Sequence, residues 1–259
     1  MDGTLLNRDG AIPPATVSAI KQAMAQGIQV TLATGRMFRS AASCARLLGI
    51  TIPIISYQGS MVADPFSGDI LQHFPMPIPV VKEAIDLARQ ASVHLNVYID
   101  DELYVEEVTD GLKRYAQRNG VEPHLVPDLV SCLTKDPTKL MVWGEPAELD
   151  KIYPILKDNL SSRCLITRSY PTLCEVGHGD TGKGNALKFL TDLLEVEQRE
   201  TVAVGDGFND IDMIEWAGLG VVIDTAPDEV KAMADWVVKI SPEDGLAELV
   251  TRICNLNGS

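Results

Sequence analysis

The chain has 259 residues, enough for one large domain or two modest ones. Its 46% apolar and 22% charged residues are the balance of an ordinary globular protein. A net charge of −14 argues against nucleic acid, whose binding needs a basic face, and no apolar run approaches the roughly 20 residues of a membrane helix. The five cysteines, Cys44, Cys132, Cys164, Cys174 and Cys254, are odd in number and form no C-x-x-C pair, which fits a reduced, cytoplasmic chain. The acidity leaves a small anionic substrate open, because a local cationic pocket can hold a phosphate inside an acidic protein.

In chain order, Asp2-Gly3-Thr4-Leu5-Leu6 comes first and reads as the end of a strand turning sharply into a loop. A carboxylate at the carboxyl end of a strand is where an open α/β sheet places its chemistry. Pro13-Pro14 opens a helix with Thr16, Val17, Ile20 and Met24 at helical spacing, and Gly27 stops it. Residues 28–33, rich in β-branched and apolar side chains, predict a buried strand ending in Thr34-Gly35-Arg36. A helix over 38–48, closed by Gly49, and a strand over 53–57, ending in Gln58-Gly59-Ser60, follow. Helices alternating with strands that end in small polar residues predict a doubly wound parallel sheet.

The rhythm changes at the Pro-rich linker Phe74-Pro75-Met76-Pro77-Ile78-Pro79. Beyond it the pattern predicts a helix over 80–91, strands over 95–99 and 103–106 around Asp100-Asp101, and a helix over 110–118. A strand over 139–143, a helix over 147–156 and paired strands over 164–169 and 173–176 complete this region. Hairpins mixed with helices predict an inserted α+β domain over 78–178, with 1–77 and 179–259 forming a discontinuous core. From Gly182 the doubly wound rhythm returns. A helix over 184–194 leads to a strand over 201–204 that runs into Gly205-Asp206-Gly207-Phe208-Asn209-Asp210. After a further helix come a strand over 220–223, a helix over 227–234, a strand over 236–239 and a last helix from about 244 to 255.

Four polar clusters thus fall at the carboxyl ends of strands or at a helix start: Asp2-Gly3-Thr4, Thr34-Gly35, Lys183, and Asp206 with Asn209 and Asp210. Together they are the kit for phosphoryl transfer with Mg²⁺, although each alone is an ordinary turn or solvated side chain. Hard carboxylate oxygens suit Mg²⁺, which takes few protein ligands and keeps several waters. Thr34 and the Gly35 amide can hold phosphate oxygens at a helix N-terminus. Lys183 can neutralise charge on the transferring group, and Asp2 can act as general acid and base. The carboxylates of the Asp206–Asp210 turn repel one another unless a cation joins them. The stretch from Gly177 to Gly184 nearly matches a nucleotide P-loop, but Gly184 stands where a Mg²⁺-binding Ser or Thr is required. His73, His94 and His124 are scattered and support no metal triad, and His178 reads as a loop surface residue.

In order and spacing the four clusters resemble the motifs of the haloacid dehalogenase superfamily of phosphatases, specifically the Cof-type branch with a large type-two cap. Asp2-Gly3-Thr4-Leu5-Leu6 is similar to the tail of D-x-D-G-T-L-L, and Ala33-Thr34-Gly35-Arg36 to the second motif. Lys183-Gly184-Asn185-Ala186-Leu187 is similar to K-G-x-A-L, and the stretch from Gly205 to Met213 to G-D-x-x-N-D-x-x-M. Ala217-Gly218, Ala234-Asp235 and Glu243-Asp244-Gly245 also fit that branch; Gln58-Gly59-Ser60 departs from its usual N-G-A.

The resemblance implies a phosphatase of small phosphorylated metabolites, a sugar phosphate or a phosphorylated cofactor, working through an aspartyl-phosphate. It implies that Asp2 is the acid and base, that Thr34 and Gly35 hold the phosphoryl group, and that Lys183 balances its charge. Asp206 would ligate Mg²⁺, with Asp210 in support and the Asp2 carbonyl as a further ligand, and Asn209 would contact phosphate or substrate. The 78–178 cap would choose the substrate; Asp100-Asp101, Arg168-Ser169 and Glu175 are its candidate contacts. The family's nucleophile, the first Asp of D-x-D, would stand one residue before Met1, so the expectation is that the native product begins upstream and is active. The alternatives are a catalytically silent relative that binds a phosphorylated ligand or a partner, and a phosphomutase. Oligomeric state is not legible.

Overall fold

The computed structural model describes residues 1–7, 9–240 and 245–256. Helix α1 (Pro14–Ala25) follows the extended Pro13 and buries Thr16, Ala19, Ile20 and Ala23 along one stripe. Helix α2 (Phe38–Leu48) buries Ala41, Ala42, Ala45 and Leu48. Strand β1 (Ile54–Ser56) passes through a tight turn at Tyr57–Gly59 into β2 (Met61–Ala63) and β3 (Ile70–His73), an antiparallel three-stranded sheet.

The middle of the chain forms a six-stranded sheet. Its elements are α3 (Ile78–Gln90), β4 (His94–Ile99), β5 (Glu102–Val105), α4 (Asp110–Asn119), β6 (Pro123–Leu125), β7 (Lys139–Trp143), α5 (Pro146–Leu160), β8 (Cys164–Tyr170) and β9 (Leu173–His178). The strand order is β6-β5-β4-β7-β9-β8. Strand alternation decides which residues face where. Leu95, Val97 and Ile99 of β4 pack with Val81 and Ile85 of α3 and Ile152 and Leu156 of α5. Tyr98 points the other way, into a cluster with Met141, Leu103 and Leu112 that also takes in Met37, Tyr57 and Met61. The second cluster therefore glues the cap sheet to the rest of the molecule.

The C-terminal part returns to the core through α6 (Lys183–Leu193), β10 (Val202–Gly205), α7 (Ile211–Trp216), β11 (Leu219–Ile223), α8 (Asp228–Lys231), β12 (Trp236–Val238) and α9 (Ala247–Leu256). Strands β10, β11 and β12 are parallel, with β11 central. Leu5, Ile20, Leu32, Leu48, Ile54, Val221, Ile223 and Leu249 form the core beneath them. The chain thus has a mixed α/β fold, a Rossmann-like core carrying an inserted cap.

Residues 28–33 do not form the predicted strand. A strand needs lateral partners along its length, and this segment meets β1 only near its end. Ala33 bridges Ile55, Ile55 N–H donates to Leu32 O at 2.8 Å, and Thr34 N–H donates to Ile55 O at 3.0 Å. Among the described residues β10 is likewise paired only with β11. The start of the predicted last helix, and Glu243 and Asp244, lie outside the described residues. Among the described residues no helix is long and apolar enough to cross a membrane.

Candidate active site

Asp2, Thr34, Gly35, Lys183, Asp206, Asn209 and Asp210 all line one cleft of about 1090 Å³. Local folding explains each placement. The Asp2 loop is a tight turn in which the N–H groups of Leu5 and Leu6 both reach Met1 O, at 2.9 and 3.0 Å. Gly3, at φ +76°, lies so near Asp206 that a Cβ would meet its Oδ2 at 2.0 Å. Thr4 Oγ1 donates to Asp206 Oδ1 at 2.6 Å, joining the first loop to the turn after β10. Thr34 and Gly35 sit before α2, where the Thr34 hydroxyl oxygen accepts from Arg36 N–H at 3.1 Å and keeps its own proton for another acceptor. A Cβ on Gly35 would strike Gln58 Nε2 at 2.4 Å.

At the other wall, Lys183 and Asp210 are only 4% and 5% exposed and paired at 2.5 Å. The second Asp210 oxygen accepts the N–H groups of Asp206 and Gly207, both at 3.0 Å. Burial pushes the Asp210 carboxyl up, but the Lys183 charge and hydrogen bond outweigh it and hold it below its usual range. Asp206 goes the other way: burial, and then the Asp210 charge, raise it against the Thr4 bond.

Asp2 is gripped by a guanidinium fork. Arg36 Nε donates to Oδ2 at 2.7 Å and Nη2 to Oδ1 at 2.6 Å, and Arg118 of α4 adds a contact at 3.1 Å. Burial would raise the Asp2 carboxyl, yet the Arg36 hydrogen bond and charge hold it lowered. Among the described residues no three His, Cys, Asp or Glu groups gather as a metal cluster. Asp2 turns its carboxylate to Arg36, and Asp210 spends its own on Lys183 and two amides. Asp206 is the carboxylate of this group with no cationic partner, and its raised titration is what a divalent cation would relieve.

Lys139, and the partnerships that Glu175 and Gln58 make, escaped the sequence reading. Lys139 of β7 and Glu175 of β9 pair at 2.6 Å as diagonal neighbours on the face toward the core. Lys139 Nζ also donates to Gly35 O at 2.9 Å. Gln58 Nε2 donates to Glu175 Oε2 at 2.6 Å while its Oε1 accepts from Asn209 at 3.0 Å. A lysine opening an otherwise apolar strand was the available signal, since a buried lysine demands a partner. Of the candidate cap contacts, Arg168 and Glu175 line the cleft. Asp101 instead clasps the core, accepting from Tyr57 Oη at 2.7 Å and Arg39 N–H at 2.8 Å, and Asp100 pairs with Lys135.

An α/β core with a cap folded over a cleft of carboxylates, lysine and threonine defines a capped α/β hydrolase. The chain belongs to the haloacid dehalogenase-like hydrolase family, which matches residues 1–250. Membership implies a metal-dependent phosphatase. A putative phosphatase of Haemophilus influenzae is 30% identical over 95% of this chain and 93% of its own. The 5-amino-6-(5-phospho-D-ribitylamino)uracil phosphatase of Bacillus subtilis is 27% identical over 99% and 96%. The crystal structure of a haloacid dehalogenase-like hydrolase from Bacteroides thetaiotaomicron superposes with a TM-score of 0.88 at 26% identity, covering 96% of this chain and 95% of that one.

Proposed function

We propose that this chain is a cytoplasmic, Mg²⁺-dependent phosphatase of small phosphorylated metabolites, with residues 78–178 as its cap and 1–77 and 179–259 as its core. The observation that carries the reading is the convergence of Asp2, Thr34, Gly35, Lys183, Asp206, Asn209 and Asp210 on one cleft. Thr34 Oγ1 and the Gly35 N–H bind phosphoryl oxygens. Lys183, held by Asp210, offers a fixed positive charge beside them. Asn209, tied to Gln58, contacts the phosphate or its ester. Asp206 and the Asp2 carbonyl would hold Mg²⁺, with Asp210 behind, and the cation would draw negative charge from the phosphoryl oxygens. Asp2 passes a proton to the leaving oxygen and takes one from water.

The aspartyl-phosphate route needs a nucleophilic carboxylate, which the family motif places one residue ahead of Met1. The test is inorganic phosphate release from a panel of phosphorylated metabolites, with Mg²⁺ and with chelator, by protein extended upstream. Release only with Mg²⁺ is expected, and no release from any ester would overturn the reading. The grip of Arg36 on Asp2 favours a second reading, a binding protein without turnover, because an ionised Asp2 is a poor acid. Ligand binding without phosphate release would identify it, and an isomerised ester without release would identify a mutase.

A further inference from the structure

The roof of the cleft carries positive charge that the phosphate site does not use. Most cations of the lining have their own carboxylates. Lys183 has Asp210, Lys139 has Glu175, Arg36 has Asp2 and Arg168 has Asp150. Arg168 is further tied to the carbonyl of Pro171 at 2.8 Å. Two arginines of α4 remain, Arg114 and Arg118, both lining the cleft. Arg114 makes no hydrogen bond or ion pair among the described residues; Asp110, one turn before it, is paired with Lys113 at 3.0 Å. Among the described residues Arg118 reaches only Asp2, whose two oxygens Arg36 already holds.

The two guanidiniums stand four residues apart on one face of a helix, a like-charge spacing that destabilises it unless an anion lies between them. That spacing appears in a chain whose net charge is −14. Its direction is informative too. Arg118 Nη2 is 3.1 Å from Asp2 Oδ1, and Asp2 is the group that faces the leaving oxygen in the reading above. Whatever Arg118 and Arg114 bind therefore belongs to the leaving group, not to the phosphoryl being transferred. Arginine forks match planar or tetrahedral oxyanions in two parallel hydrogen bonds.

We propose, resting on the phosphatase reading, that the substrate is a phosphomonoester whose leaving group carries an anionic group of its own, a carboxylate or a second phosphate, read by Arg114 and Arg118. Two ligand pairs isolate that group. 3-Phosphoglycerate and glycerol 3-phosphate differ by a carboxylate; fructose 1,6-bisphosphate and fructose 1-phosphate differ by a phosphate. Binding to the 259-residue chain, read by calorimetry in Mg²⁺ buffer, needs no turnover. The doubly anionic member of at least one pair is expected to bind about tenfold tighter or more. The pair that shows the preference says which anion is meant. In the double variant Arg114→Gln, Arg118→Gln the preference should fall below about threefold, with the thermal midpoint kept because both side chains are exposed. Equal binding within both pairs overturns the inference and leaves the phosphatase reading standing. A preference that survives the double variant also overturns it. If none of the four ligands binds, the phosphate site itself falls, and the inference with it.

Discussion

Replacing Lys139 by methionine tests the buried Lys139–Glu175 pair, through which the cap also reaches Gly35 and Gln58 of the core. Lys139 and Glu175 are 2% and 7% exposed, so removing the ammonium leaves a carboxylate in a place water hardly reaches. Burial pushes Lys139 down, but the Glu175 charge and hydrogen bond, together with the charge interaction with Tyr115, raise it above its ordinary value. Breaking one side of a buried pair costs about 3–5 kcal/mol. Glu175 keeps the Gln58 amide at 2.6 Å, which places the Lys139→Met loss near the lower end, about 3 kcal/mol. That is roughly a 150-fold change in the folding equilibrium, or a drop of about 6–12 °C in thermal midpoint. The double variant Lys139→Met, Glu175→Gln removes the stranded charge and should recover at least half of the loss. Urea unfolding followed by circular dichroism, with matched slopes, measures all four corners of this cycle. Hydrogen exchange should also quicken at residues 35–36, because Lys139 Nζ no longer holds the Gly35 carbonyl. A single-variant loss under about 1 kcal/mol, or no recovery in the double variant, would refute the reasoning.

Gly35→Ala should push Gln58 away from Glu175 and Asn209, since the new methyl falls 2.4 Å from Gln58 Nε2; calorimetry with inorganic phosphate should show about tenfold weaker binding. Asp210 has a lowered folded-state titration, so its stabilising effect is complete above the usual value near 3.8 and is lost as pH falls through the lower folded value. The stability gap between the native chain and Asp210→Asn should therefore be constant at neutral pH and close in acid, which acid-unfolding curves check. Asp206 has the opposite sign: its raised titration costs stability above that value, so Asp206→Asn should raise the metal-free thermal midpoint at pH 7. The same variant should lose the Mg²⁺-dependent gain, about 1.4 kcal/mol at tenfold excess over the dissociation constant, seen by thermal shift with and without chelator.

Elements that carry their own boundaries were legible in the sequence. Helix α2 and strand β7 span the predicted residues because Gly49 and Gly144 close them and their apolar patterns are complete within the segment. Residues 28–33 have the composition of a strand, but composition says nothing of neighbours, and only Ala33 finds one beside β1. The hairpin of β2 and β3 was missed. Its turn is set by Asp64, whose carboxylate accepts the N–H groups of Phe66 and Ser67 at 2.7 and 2.8 Å, a local signal present in the sequence. The cleft residues Asp2, Thr34, Gly35, Lys183, Asp206, Asn209 and Asp210 were legible because they fall in short motifs. The pairing roles of Arg36, Lys139 and Arg118 were not, because each acts on a residue 34 to 116 positions away.

Those long-range partners set the electrostatic logic of the cleft. Asp2, Asp210 and Glu175 are each neutralised by a cation from a different element: Arg36 before α2, Lys183 at the start of α6, and Lys139 of β7. Each pair lies within the cap or within the core and fixes one wall; the contacts that cross between them are Lys139 to the Gly35 carbonyl, Gln58 to Glu175 and Arg118 to Asp2. Among the described residues the Asp206 side chain is held only by the Thr4 hydroxyl, and burial, then the Asp210 charge, raise it. A divalent cation at Asp206 would balance its charge in the cleft that Thr34 and Gly35 also line. Arg114 is the complementary case, a cation on the cap side that among the described residues makes no ion pair. The cleft therefore calls for a ligand with metal-seeking oxygens at one end and a second negative group at the other.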